Sequence, residues 1–229
     1  MLIISHKSSS DFKKFLYDNN FSFIETTDNP NLDLRIADHP DLSIFALDDN
    51  NIVIDKNVSS YYKEFIKSKN IIDGKAASHN YPYDCIYNIY QYSNFYIHND
   101  VTESHIEAYM ESNSYTHLYT KQGYSRCSII PMGDKILTSD YGIYKSLKDK
   151  INVILLKEEH IPLDGFPNGF IGGTCGLVGD TLIFNGNIEN SPNYNLIKSE
   201  AMKSNIKLMY PDLPLVDLGS IIYFGDASY

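Results

Sequence analysis

Ile171-Gly172-Gly173-Thr174-Cys175-Gly176-Leu177-Val178-Gly179-Asp180-Thr181-Leu182-Ile183-Phe184-Asn185 sets two short apolar runs on either side of a Gly-Asp pair. Both turn residues tolerate positive φ, which a tight hairpin needs. The same arrangement recurs upstream. Leu42–Leu47 turns at Asp48-Asp49-Asn50 into Ile52–Asp55, and Cys85–Tyr90 turns at Ser93-Asn94 into Phe95–His98. Arg126–Pro131 turns at Gly133-Asp134 into Ile136–Ser139. The first apolar residues after these turns are Ile52, Phe95, Ile136 and Leu182, spaced by 43, 41 and 46 residues. A near-constant period of this length marks a repeated supersecondary unit.

Each hairpin is followed by a helical pattern with a start signal. Ser59 or Ser60 precedes Tyr61, Tyr62, Phe65 and Ile66, and Thr102 precedes Ile106, Tyr109 and Met110. Ser139 or Asp140 precedes Ile143 and Leu147, and Ser191-Pro192 precedes Leu196, Ile197, Ala201 and Met202. Capping side chains ahead of apolar residues at a 3.6 period predict amphipathic helices. Further β runs follow at Ile151–Leu156 and Ile206–Tyr210, and a weaker one at His117-Leu118-Tyr119.

The chain begins in mid-unit. Leu2-Ile3-Ile4 reads as a strand, Ser8–Asp11 caps a helix with Phe12, Phe15 and Leu16, and Phe21–Ile24 reads as the next strand. Leu215-Val216-Asp217-Leu218, at the other end, is expected to supply the missing first strand. The expectation is an α/β fold: a five-fold pseudosymmetric propeller of ββαβ units, closed by pairing the N- and C-terminal segments. Such closure removes exposed sheet edges. Residues 1–229 then form one domain. The competing arrangement is an open α/β sandwich with coincidental spacing.

Composition narrows the partners. The 229 residues are 43% hydrophobic and carry a net charge of −10, with no Lys/Arg cluster. Nucleic acid is therefore not an expected partner, whereas a small cation is. No apolar run is long enough to span a bilayer, and no secretion signal stands at Met1–Lys7. Cys85, Cys127 and Cys175 are odd in number and scattered, which fits a reducing cytoplasm without disulfides. The histidines and cysteines lack metal-ligand spacing, so neither a metal nor another cofactor is expected. Oligomeric state is not legible.

Five segments, taken together, resemble a known superfamily. They are His39-Pro40-Asp41-Leu42, Tyr81-Pro82-Tyr83-Asp84, Gln122-Gly123-Tyr124-Ser125-Arg126-Cys127-Ser128, Gly169–Gly176 and Asp217-Leu218-Gly219-Ser220-Ile221-Ile222. In order and spacing they are similar to an uncharacterised bacterial branch of the pentein, or guanidino-group-modifying, superfamily. That superfamily holds amidinotransferases and arginine and agmatine deiminases, and also non-enzymatic members. Fold resemblance implies no activity by itself.

What the resemblance implies is a central pocket. There a cysteine thiolate attacks a guanidinium carbon, carboxylates hold the planar cation through paired hydrogen bonds, and a histidine moves protons. Asp41 and Asp84, 43 residues apart, occupy equivalent places in neighbouring units, and Asn88 follows Asp84 on the same strand face. Cys127 sits on the third first-strand, Gly172-Gly173-Thr174 serves the fourth, and Asp217 lies on the fifth. The expected site is Cys127 as nucleophile and His39 as acid/base, with Asp41, Asp84, Asn88 and Asp217 holding substrate. Two departures stand out. The superfamily's catalytic cysteine lies in the last unit, where this chain has Asp217-Leu218-Gly219-Ser220, and no histidine follows His160. The expected function is a cysteine-dependent hydrolase or transferase for a guanidino or amidino compound. The alternative is a non-catalytic pentein that binds a small cation or a protein partner.

Overall fold

A computed structural model describes residues 1–225. The repeat is realised as five three-stranded sheets. β1 (Leu2–Ile4), β2 (Phe23–Glu25), β3 (Ile44–Ala46), β4 (Asn51–Asp55), β5 (Asn70–Gly74), β6 (Tyr90–Tyr92), β7 (Phe95–His98) and β8 (Thr116–Tyr119) build the first half. β9 (Ile130–Met132), β10 (Lys135–Thr138), β11 (Val153–Leu155), β12 (Cys175–Val178), β13 (Thr181–Phe184), β14 (Lys207–Met209) and β15 (Ile222–Tyr223) complete it. The sheet orders are β3-β4-β5, β6-β7-β8, β9-β10-β11, β12-β13-β14 and β15-β1-β2. In every sheet the middle strand pairs antiparallel on one side and parallel on the other. The parallel step needs a crossover, and each is made by one helix: α1 (Ser10–Asp18), α2 (Ser59–Phe65), α3 (Ser104–Ser112), α4 (Tyr141–Leu147) or α5 (Tyr194–Lys203).

The four spaced residues all fall on middle strands: Ile52 on β4, Phe95 on β7, Ile136 on β10 and Leu182 on β13. The helices seat on their sheets through buried pairs one turn apart. These are Phe12 and Leu16, Tyr62 and Ile66, Ile106 and Met110, Ile143 and Leu147, and Ile197 and Ala201. An i,i+4 pair shares one helix face, so a short helix buries two side chains with little else apolar.

Two start signals act as read. Ser9 accepts the Phe12 N–H at 3.1 Å, and Asp140 accepts that of Ile143 at 2.9 Å. Others differ. Thr102 does not cap α3; its hydroxyl bonds His98 Nδ1 at 2.9 Å, and the buried Glu103 carboxylate takes the His105 and Ile106 N–H groups. α2 starts without a side-chain cap, and Ser191 turns the chain before α5 by accepting the Asn193 N–H.

The fifth sheet also corrects an expectation. The chain ends do share a sheet, with Leu2 opposite Tyr223 and Ile3 opposite Ile222. The C-terminal strand is β15, however, and not Leu215–Leu218, which runs as an irregular approach to it. Likewise the first strands start later than the apolar runs suggest. Residues 40–42, 81–84, 125–128 and 171–174 form short turns just ahead of β3, β6, β9 and β12. These turns, and not the strands, carry the candidate chemistry.

Candidate active site

Pro40 has no N–H and a fixed φ, so His39-Pro40 opens the turn ahead of β3 instead of extending the strand. In that turn Asp41 is almost wholly buried. Its Oδ2 accepts from the Cys127 thiol at 2.9 Å and from the Ser220 N–H at 2.9 Å. Its Oδ1 is buried without a hydrogen-bond partner. Asn88 clamps the same cysteine from both amide ends: Nδ2 donates to Sγ at 3.1 Å, and Oδ1 accepts the Cys127 N–H at 3.1 Å. Side chains from the first, second and third units thus meet at one sulfur.

The fourth and fifth units add Asp217. Its Oδ2 accepts the Phe170 N–H at 2.8 Å and its Oδ1 the Gly219 N–H at 3.0 Å. Gly173 packs so closely on this carboxylate that any Cβ there would overlap it. Gly219 has φ +74°, and a Cβ there would stand 2.7 Å from that of His39; a left-handed glycine therefore lets the segment before β15 pack against His39. His39, Cys127 and Asp217 line one cavity of about 190 Å³ with Tyr124 and Phe170. Leu163 and Phe166 cover it. Their loop is pinned by Arg35, which stacks on Phe166 at 4.0 Å and donates to the Gly165 carbonyl at 2.6 Å.

The electrostatics are those of an anionic hole. Burial, then the Asp41 and Asp217 carboxylates, push the Cys127 thiol well above its ordinary range; only the Asn88 bond opposes them. Burial also raises Asp217, against the opposing pull of His39. No lysine or arginine lines this cavity. Cys175 is pushed up to about 12 by burial, and Cys85 is likewise raised by burial and Asp84. Both are core thiols.

The expected residues therefore divide. Asp41, Asn88 and Cys127 are in direct contact, and His39 and Asp217 share the cavity with the thiol. Asp84 does not line this cavity. Its Oδ2 accepts the Tyr124 hydroxyl at 2.6 Å, so Tyr124 stands in the wall in its place, and Asp84 Oδ1 is buried without a partner. None of Asp41, Asp84, Cys127 or Asp217 sits on a strand, because each precedes its sheet in a turn or irregular segment. Tyr124, Phe170 and Ser220 were not foreseen, although all three lie within the quoted segments. One donor atom from each of His39, Cys127 and Asp217 falls within 4.8 Å of the others. This N/S/O set has the chemistry for a borderline-soft divalent ion, and it comes from three units, so local spacing does not reveal it.

The family of unknown function DUF6873 matches residues 3–222, nearly the whole chain. The chain belongs to that family. No curated protein matches it in sequence. Among solved structures, dimethylarginine dimethylaminohydrolase from Pseudomonas aeruginosa complexed with citrulline is similar at TM-score 0.52 and 12% identity, covering 92% of this chain and 91% of that one. An adduct of dimethylarginine dimethylaminohydrolase with 4-chloro-2-hydroxymethylpyridine gives 0.52 and 11%, with the same coverage. An amidinotransferase of the saxitoxin biosynthetic pathway from Microseira wollei gives 0.53 and 11%, covering 91% of this chain and 75% of that one. At such identities the likeness is one of fold, and the fold of this DUF6873 chain is that of the pentein superfamily.

Proposed function

We propose that the chain is a cysteine-dependent hydrolase or transferase acting on a guanidino or amidino cation. The observation that carries this reading is the buried Asp41–Cys127–Asp217 cluster: Cys127 and Asp217 line a cavity without lysine or arginine, and Asp41, bonded to the thiol, keeps one carboxylate oxygen without a partner. Buried carboxylates are stable when paired, and a planar cation with a fork of N–H donors pairs with them. The pentein-fold neighbours include proteins named for that chemistry. The five sheets are taken to close into a ring about the site, as the β1–β15 pairing supports. The whole chain then works as one domain.

The steps follow from the charges. The amidino cation binds against Asp217 in the thiol cavity, and its positive charge offsets the Asp41 and Asp217 charges that hold the Cys127 thiol protonated. Sγ passes its proton to His39 and attacks the amidino carbon. The C–S bond forms, a C–N bond breaks, and the leaving amine takes a proton from His39. Water then attacks the same carbon and gives a proton to His39, and the thiolate departs and recovers that proton, leaving a ureido product. In a transferase an amine replaces the water. Asn88 fixes the sulfur throughout, and Asp84 holds the Tyr124 wall.

The test is release of ammonia or amine from arginine, agmatine and their N-methylated forms, with and without chelator. Turnover in the wild type and none in Cys127→Ala is expected; full activity in Cys127→Ala removes the cysteine from the reaction. One observation favours a second reading. The same thiol is 2% exposed and strongly held protonated, as in a protein that binds the cation without transforming it. Thermal stabilisation by the same panel, undiminished in Cys127→Ala and without turnover, supports that reading.

A further inference from the structure

Arg126 and Cys127 are consecutive, yet they line different cavities. The Arg126 cavity, about 170 Å³, is walled by the first strands themselves: Ile44 to Ala46 of β3, Gln91 of β6, Leu177 of β12 and Tyr223 of β15. It shares no lining residue with the thiol cavity. Of the chain's two arginines, Arg35 makes a close pair with Asp33. Arg126 makes no side-chain hydrogen bond or ion pair among the described residues and only faces the Tyr90 ring at 5.7 Å. In a chain of net charge −10, a half-buried guanidinium without a carboxylate is an unmet demand for an anion.

The same wall holds the opposite demand. Asp41 lines this cavity too, with Oδ2 committed to Cys127 and Ser220 and Oδ1 buried and unpartnered. Phosphate or sulfate would answer Arg126 but would crowd a second negative group against Asp41. We infer that the cavity is a binding site for a small zwitterion, with its carboxylate on Arg126 and its ammonium on Asp41. The guanidinium fork takes a carboxylate through two parallel bonds, and the ammonium donates to Asp41 Oδ1. By the share of liquid volume of one water, the cavity holds roughly six waters, which suits a short-chain ω-amino acid. This site shares Asp41 with the proposed reaction, but it uses no amidino chemistry and does not rest on it.

The probes are β-alanine, γ-aminobutyrate and δ-aminovalerate, each titrated by calorimetry beside the matched alkylamine and alkylcarboxylate. One of the three should bind at least tenfold more tightly than its one-charged analogues. Arg126→Gln should remove that tenfold, and Arg126→Lys should restore part of it. Circular dichroism on both variants separates lost binding from lost fold, and the wild-type series stands without either. The inference is overturned if no amino acid binds, if the amine alone binds equally well, or if folded Arg126→Gln binds undiminished. Amino-acid binding without amidino turnover would sink the proposed reaction and keep this site; turnover without it would do the reverse.

Discussion

The two cavities are built from the same five units but from different parts of them. The thiol cavity draws on turns and irregular segments ahead of the first strands, where His39, Cys127 and Asp217 sit. The Arg126 cavity draws mainly on the strands, where Ile44, Gln91, Leu177 and Tyr223 stand. A turn aims backbone N–H groups and short polar side chains at one point, whereas a strand mostly offers a wall. Polar bonds therefore crowd the first cavity, and one unpaired guanidinium stands out in the second. Asp41 lines the second, yet its Oδ2 bonds the thiol of the first, since it sits at the junction of turn and strand.

That division orders the expected effects. Cys127→Ala should lower turnover on an amidino substrate by about 10³-fold or more, measured by product release, while leaving ω-amino-acid binding in place. Equal loss of both would mean the two cavities are one site.

The next effect strikes both at once. His98 is buried, and its Nε2 faces the carbonyls of Cys85 and Gly123 at 3.1 and 2.9 Å, tethering the start of the segment that carries Arg126 and Cys127. Burial lowers its pKa from 6.5 to about 4. The unfolded chain thus binds a proton first as pH falls, so stability is full above about pH 6.5 and is lost progressively down to about pH 4. The loss amounts to about 3 kcal/mol. Urea melts across that window should show the slope, and His98→Gln should flatten it.

Gly173→Ala confines the damage to the thiol cavity. A Cβ there overlaps the Asp217 carboxylate, so destabilisation of about 2 kcal/mol is expected, together with loss of turnover. Thermal melts and the amino-acid titration, the latter unaffected, check it. Asp41→Asn is the mildest and the most informative. It should weaken both the amidino substrate and the ω-amino acid by about tenfold, the order of one charge-assisted hydrogen bond. Weakening of one alone would assign Asp41 to a single cavity.

Much of the fold was legible because hydrophobic period and turn chemistry are local. The hairpin at Gly179-Asp180 and the middle strands at Ile52, Phe95, Ile136 and Leu182 follow from residue type and spacing alone. The short turns before the first strands were not legible. Apolar residues such as Leu42, Ile86 and Ile129 are buried there as they would be on a strand, so hydropathy extends the strand through them. The site was half legible for a related reason. The 43-residue step from Asp41 to Asp84 repeats from Asp84 to Cys127, and it does bring Asp41 and Cys127 together. Asp84 follows the same step yet is held by the Tyr124 hydroxyl, a pairing set by side-chain packing that no spacing encodes. Arg126 was passed over because its significance lies in having no partner, which only three dimensions reveal.

The central claim is that Cys127 is a thiol held protonated by burial and two carboxylates until a cation arrives. Thiolate absorbance measured against pH, as the difference between wild type and Cys127→Ala, tests it directly. The expected result is no titration from Cys127 below about pH 9 in the free protein, and its appearance near neutrality when an amidino ligand is added. A Cys127 that titrates as an ordinary thiol, or whose titration the cation leaves unmoved, would contradict it.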